Sequence, residues 1–432
     1  MVRYASTLYS KKPRWKLGPR ARELGLSSIF YILDHRASTI RKSSLPKNDV
    51  SDSSKNIVIL GGSYGGVSTA HYLLKHVPQL PKKASYQVIL ISTSSQAICR
   101  PACLRALISD DMFPQEKLFV GVPQQFEQYP KDSFRFIQGT ATKLDHHDRY
   151  VTASLKGGST EKMAYHALVI ATGTSTSSPL LELNSDSESL RATWKTFREA
   201  LPNAKHIVIA GGGPTGVETA GHHYPSDGGL EDPPSLATRD CEEVGVTVVT
   251  GSRVATVSPA GVGTEGALTT NATVTLEDGE TLEADLYIPA TGAVANTGFI
   301  HESLLMASGS VESNVSTLRV DKAGARVYAI GDLGSHPCPA VHNISNTVPT
   351  LCANIKRDLL LAEGKEESTV GADRVFKDTR ETQLVPIGKN KGVGTAMGFQ
   401  LPSLFVWLIK GRSYWLWTTG DLWSGKQWAK ES

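Results

Sequence analysis

The chain is poor in several features that would each define a class of protein. Its 432 residues hold five cysteines, too few to suggest the disulfide framework that staples small extracellular domains. No apolar run approaches the ~18 residues that a membrane-crossing helix needs. No secretory h-region precedes a cleavage motif. The histidine pairs His146-His147 and His222-His223 have no third ligand at metal-binding spacing, so no metal is expected. Nor is there a nucleophile, base and acid arrangement of the hydrolase kind. The formal net charge is only +3, and its distribution is uneven. Residues 1–50 carry most of the positive excess, while the remainder is slightly acidic. The body of the protein therefore lacks the basic surface of a nucleic-acid binder.

Glycine, by contrast, is placed with purpose. Two segments read as a short apolar strand, a glycine turn and a small-residue helix start: NIVILGGSYGGVSTA over 56–70 and HIVIAGGGPTGVETA over 206–220. Such a turn lets the backbone approach a pyrophosphate, whose charge meets unpaired N–H groups and the positive end of a helix dipole. Gly61, Ser63 and Gly66 hold the fingerprint positions of the first copy, and Gly211, Gly213 and Gly216 those of the second. Ser63 departs from the strict pattern, but its side chain is small and its hydroxyl is a donor suited to phosphate. Two turns imply two dinucleotides, and two dinucleotides imply hydride traffic between them.

Three further segments make the pattern specific. Ala167–Gly173 and Leu286–Gly292 are apolar runs ending in Ala-Thr-Gly, one on each side of the second nucleotide unit, as two crossings between domains would be. Arg326–Asp332 is a strand ending in Gly-Asp. In this order the motifs resemble those of the apoptosis-inducing-factor-like flavoproteins, of AMID and fungal type, within the pyridine nucleotide-disulfide oxidoreductase superfamily. The resemblance runs from about Lys55 to Asp358. It implies an α/β fold of two Rossmann-like domains: an FAD domain, an NAD(P)H domain inserted into it, and a C-terminal segment. It also implies that Gly61, Gly62, Ser63, Tyr64 and Gly65 line the FAD pyrophosphate, Arg105 contacts the cofactor, Ala141 meets adenine through its backbone and Asp332 holds the ribityl chain. Gly211, Gly213 and Gly216 would then hold the NAD(P)H pyrophosphate. The implied activity is ping-pong electron transfer from NAD(P)H through flavin to a small acceptor such as a quinone, with the hard chemistry supplied by the cofactor. Two other activities fit the same motifs. One is a flavin-dependent oxidase or tailoring enzyme with weak NAD(P)H use, and the other a noncatalytic, FAD-stabilised interaction protein.

Against this pattern the second nucleotide unit looks roughly 30 residues short. A complete unit places a second strand and an acid about 20 residues past the glycines to hold the adenosine ribose. Here that window reads HHYPSDGGLEDPP, which is turn chemistry. If Val246–Thr250 belongs to a later strand, the second strand is missing. If it is the second strand, it ends before Gly251-Ser252-Arg253 with no acid, and Arg253 would favour a 2′-phosphate. Glu218, just inside the second helix, matches a position that relatives place near nicotinamide and flavin, although an acid in a first helical turn also suits the dipole.

Cys99 and Cys103 stand near where disulfide reductases of the superfamily keep their redox pair, but with C-x3-C spacing, and buried inert thiols are the expectation. Five of the seven tryptophans fall after residue 400, interleaved with Lys410, Arg412 and Lys426. Such a segment suits either packing over the flavin or peripheral contact with a membrane surface. The expected organisation is a basic, Arg-rich extension over 1–50 resembling a mitochondrial transit sequence, FAD-domain parts at 51–195 and 291–360, a shortened NAD(P)H-like domain at 196–290, and the Trp-rich segment at 361–432. A mitochondrial or cytoplasmic location, with membrane association, follows as an expectation.

Overall fold

The computed structural model describes residues 2–6, 55–77, 86–181, 183, 185–222, 240–243, 245–335, 340–377, 382–396 and 399–431. The basic segment beyond residue 6 and the turn-rich window of the second unit lie outside the described residues.

Two mixed α/β layers carry the glycine turns, in agreement with the expected fold class. The first is a seven-stranded sheet ordered Val327–Ala329, Ala167–Ile170, Lys55–Leu60, Tyr86–Ser92, Phe134–Asp145, Tyr150–Leu155, Thr160–Ala164. The first five strands run parallel, and the last two add an antiparallel edge. Parallel strands are covered on both faces, which is why their sequences are continuously apolar. Residues alternate between two cores: Ile57 and Ile59 join the helices Tyr64–His76 and Ile344–Ala362, while Val58 and Leu60 face Val151, Met163 and Val320. On the helical side Val67, Ala70 and Leu73 pack with Val348, Leu351 and Ile355, the i, i+3, i+4 stripes that two amphipathic helices bury against each other.

The second sheet is all-parallel, ordered Val246–Thr250, Val2–Ser6, Ile207–Ala210, Leu286–Pro289. Both readings of Val246–Thr250 are therefore replaced. It joins this sheet, but one place removed from the glycine-turn strand, and Val2–Ser6 fills the position between them. Arg253 consequently follows the edge strand Val246–Thr250, not the strand beside the turn. A local reading had no access to this, because the neighbour comes from the opposite end of the chain. Beyond the parallel sheet, Val254–Ser258, Ala272–Leu276 and Thr281–Ala284 form a separate antiparallel meander.

The two Ala-Thr-Gly crossings lie side by side. Thr174–Thr176 pairs antiparallel with Ala293–Ala295, and Asn296 bonds Thr172 in both directions, donating to its carbonyl and accepting at its own carbonyl from the threonine hydroxyl. The C-terminal part begins with the small sheet Gln383–Ile387, Lys391–Ala396, Phe399–Gln400. It packs on the helix Pro214–His222, where a Cβ at Gly221 would lie 2.7 Å from the Gly388 nitrogen. The last helix, Leu416–Trp423, returns to the first sheet's side. His71 Nε2 donates to the Trp423 carbonyl (2.8 Å), Lys75 Nζ to Gly425 (2.5 Å), and His76 Nε2 to Trp428 (3.0 Å). One face of the first nucleotide helix thus caps the chain's final turns. The charged stretch 361–375 is exposed for most of its length but pinned: Arg319 forks between Asp358 and Asp373, and Arg357 bonds Glu367 and the Gly371 carbonyl.

Candidate functional site

The first glycine turn is shaped by what stands against it. Gly61 has φ +113°, and a Cβ there would fall 2.2 Å from the carbonyl oxygen of Ala171. A Cβ on Gly66 would meet the Gly61 carbonyl at 1.8 Å. Only glycine allows the strand, the turn and the Ala-Thr-Gly crossing to approach this closely. The helix that follows has no acid in its first turn and ends in Lys75 and His76, so its dipole is left open to an anion at the N-terminus. Ser63 precedes it without capping it through its side chain, which leaves the hydroxyl to a ligand.

A cleft of about 500 Å³ opens over this turn, lined among others by Gly61, Gly62, Ser63, Ala141 and the crossing Ala171–Gly173. It extends past Thr93 and Ser94, at the end of the second strand of the first sheet. Nucleotide units often place a carboxylate there for the ribose; this chain presents hydroxyls. The residues fit an adenine dinucleotide: a glycine-lined phosphate cradle, an open helix terminus and a cleft whose wall adds the hydroxyls of Ser63, Thr93 and Ser94.

The second turn repeats the construction. Gly211 has φ +133°, and a Cβ there would lie 2.0 Å from the Ala290 carbonyl oxygen, the counterpart of Ala171 in the other crossing. Gly213 is open, with nothing within 4 Å of an added Cβ, and Gly216 is buried in the helix. A smaller cleft of about 230 Å³ lies where the two units face each other. Tyr64 and Gly65 reach it from the first turn, Thr215 and Glu218 from the second helix, Asp332 from the Gly-Asp strand end and Lys410 from the C-terminal segment.

Glu218 is the unusual group in this cleft. It is 1% exposed, and its Oε1 accepts from Lys410 Nζ at 2.6 Å while Oε2 is buried without a partner. Burial raises its carboxyl to about 7, against the lowering pull of Lys410 and Arg105. Lys410 also donates to the Leu384 carbonyl and lies 5.5 Å from the centre of the Trp415 ring. A carboxyl raised toward neutrality beside a lysine, with one oxygen buried and unpartnered on a residue that lines a cleft, can take or give a proton there.

The other predicted residues divide. Gly61, Gly62, Ser63 and Ala141 line the larger cleft, Tyr64, Gly65 and Asp332 the smaller, so the structure brings these together. Arg105 lines neither. Its guanidinium lies over the Tyr414 ring (4.7 Å) and near Phe113, where burial lowers it. Arg100, five residues earlier and on another face of the same helix, lines both clefts and stands 3.6 Å from Asp332. The motif points to Arg105, whereas the helix phase places Arg100 at the clefts. Sequence reasoning also missed Lys410, which no local pattern marks. Cys99 and Cys103 are fully buried and not joined by a disulfide, and burial raises the Cys99 thiol. Among the described residues no cluster of metal-ligating side chains occurs.

With this geometry in place, comparison with known proteins is informative. The family described as pyridine nucleotide-disulphide oxidoreductase matches residues 55–224, from the first glycine-turn strand through the second glycine-turn helix. "Oxidoreductase phnG" of Penicillium herquei is 61% identical over 89% of this chain and 99% of its own length. The chain belongs to the pyridine nucleotide-disulphide oxidoreductases. Human "Ferroptosis suppressor protein 1" is 26% identical over 84% of this chain and 94% of its own, in line with the resemblance read from the motifs. Among solved structures, the sulfide:quinone oxidoreductase of Aquifex aeolicus superposes with a TM-score of 0.63 at 15% identity, covering 86% of this chain and 92% of that one. The protein is thus an oxidoreductase of a flavin- and NAD(P)H-binding family, and both nucleotide units of that family are legible in its fold.

Proposed function

We propose that the protein binds FAD in the larger cleft, takes electrons from NAD(P)H docked on the second glycine turn, and delivers them to a small quinone-like acceptor. The observation that carries this reading is the convergence of the first turn, the start of the second helix at Pro214 and Thr215, Asp332 and the Glu218–Lys410 pair on one cleft. Bound FAD supplies the capacity to accept a hydride and to release electrons singly or in pairs. The chain's own part is to hold, orient and electrostatically tune. Gly61–Gly65 and the helix terminus would bind the pyrophosphate, the backbone near Ala141 the adenine, and Asp332 a hydroxyl of the linking chain. Glu218 and Lys410 hold a proton at the cleft wall.

The C-terminal segment supports a peripheral contact with a lipid surface, from which an apolar acceptor would arrive. Phe399 and Trp417 are 75% and 74% exposed, and Leu404, Phe405 and Leu408 are at least half exposed. Arg412 is exposed beside them. Lys410 belongs to the same segment yet faces the cleft, so the apolar face and the site share one short stretch of chain. Anaerobic titration tests the proposal. NAD(P)H should remove the visible absorbance of the oxidised flavin, and a quinone should restore it. A folded protein that takes up no FAD, or a flavin that no nicotinamide nucleotide reduces, would overturn it.

A further inference from the structure

In a dinucleotide-binding unit the strand beside the glycine-turn strand ends next to the turn, and its last residue meets the adenosine ribose. In this chain the position belongs to Val2–Ser6. The pairing is parallel on both sides: Val2 through Ala5 oppose Ile207 through Ala210, and Val2 through Ser6 oppose Val246 through Thr250. Because the strands run parallel, their ends share one edge of the sheet. Ala5 stands level with Ala210, the last residue before Gly211, so position Ser6 is level with the turn itself. Without this segment Ile207–Ala210 and Val246–Thr250 would stand about 10 Å apart, twice the spacing of paired strands, with two rows of peptide groups unpaired. The described residues between the helix Pro214–His222 and Val246–Thr250 provide no other strand for the gap.

We propose that Val2–Ser6 is a working part of the nicotinamide-nucleotide site, and that position Ser6 sets which nucleotide it accepts. The inference rests on the reading of NAD(P)H as donor. Units selective for NADH place a carboxylate at this strand end, which pairs with the ribose 2′-hydroxyl and repels a 2′-phosphate. The segment Val-Arg-Tyr-Ala-Ser has no carboxylate. Nothing in the strand opposes the 2′-phosphate, and NADPH binds at least as well as NADH.

Three measurements on the full-length, FAD-loaded protein test this. Hydrogen exchange should show the amides of residues 2–6 protected together with those of 207–210. Ala5→Pro removes an N–H from a strand paired on both sides. It should weaken NADPH binding, read by titration calorimetry, about tenfold or more with FAD content unchanged. Ser6→Asp should move the ratio of NADPH to NADH affinity at least about tenfold toward NADH, the scale of one charged hydrogen bond. Exchange of residues 2–6 at free-chain rates, or wild-type NADPH affinity in Ala5→Pro, overturns the strand's role. An unchanged ratio in Ser6→Asp overturns the ribose assignment. If residues 2–6 are protected but the wild type binds neither nucleotide, the ribose assignment and the donor reading fall together. If the wild type binds and is reduced by either nucleotide while residues 2–6 exchange freely, only the present inference falls.

Discussion

At the scale of single residues, the most informative group is Glu218. Its folded carboxyl is raised from 4.5 to about 7, so the folded state holds the proton more tightly than the unfolded one. The stability this contributes is complete below pH 4.5 and is lost as pH rises through about 7. Glu218→Gln removes that dependence. Denaturant unfolding at pH 5 and pH 8 should show the variant losing less stability across the interval than wild type, by about 3 kcal/mol at most. If Glu218 handles a proton during turnover, the same variant keeps its flavin, loses on the order of 10²-fold in rate, and loses the inflection near pH 7 in its rate profile. Lys410→Ala is the harsher change, because it leaves a buried carboxyl without its cation, at a cost of roughly 3–5 kcal/mol. Cys99→Ala with Cys103→Ala should leave flavin reduction and quinone turnover intact, since both thiols are buried and no disulfide joins them. A loss of turnover with flavin still bound would reassign them to the redox path.

At the scale of elements, the first nucleotide helix does three jobs with two faces and one end. Its N-terminus faces the anion site, its apolar stripe packs on the helix Ile344–Ala362, and His71, Lys75 and His76 hold the carbonyls of the C-terminal turns. His71 is the best placed of the three: stacked on Phe126, bonded to the Tyr129 hydroxyl and to the Trp423 carbonyl. Burial lowers it from 6.5 to about 4. A depressed histidine contributes stability that is present above pH 6.5 and is lost as pH falls through about 4. Acidification across that window should release the C-terminal helix, seen as a red shift of tryptophan emission from the buried Trp423 and Trp428. His71→Ala should give the same shift at neutral pH, with a stability loss of roughly 1–3 kcal/mol for the orphaned carbonyl. Emission unchanged in both cases would show that the contact does not anchor the helix. The glycine turns make an independent case at this scale. Gly61→Ala places a methyl group against the Ala171 carbonyl at a positive φ, so FAD occupancy should fall sharply even where the fold survives.

At the scale of the whole molecule, two nucleotide units face each other across a cleft whose last wall is the C-terminal segment. Its exposed apolar side chains form a surface that water solvates poorly, which is the basis for expecting lipid contact. Replacing Leu404, Phe405 and Trp417 together by Ser should reduce co-sedimentation with phosphatidylserine-containing vesicles several-fold. Turnover of a water-soluble quinone should be retained, because none of the three lines the cleft. Wild-type protein that fails to sediment with such vesicles would remove membrane contact from the picture.

The two strand–glycine–helix units, the paired crossings and the Gly-Asp strand end were legible in the chain's local pattern. Each depends on local physics: apolar runs buried on both faces, glycines where a neighbouring carbonyl leaves no room for a Cβ, and helix termini open to anions. The family was legible from the same residues. What the sequence left open belongs to contacts between distant segments. Helix phase turned Arg100 to the clefts and Arg105 to the aromatic rings, and neither outcome is written in the motif. Lys410 reached Glu218 only because the C-terminal sheet folds back over the second helix, and burial then raised the carboxyl. The neighbour of the second glycine-turn strand came from residues 2–6, since a parallel strand can be recruited from anywhere along a chain once a sheet edge offers unpaired peptide groups. Local pattern fixes which strands can exist; only the tertiary structure decides which of them stand side by side.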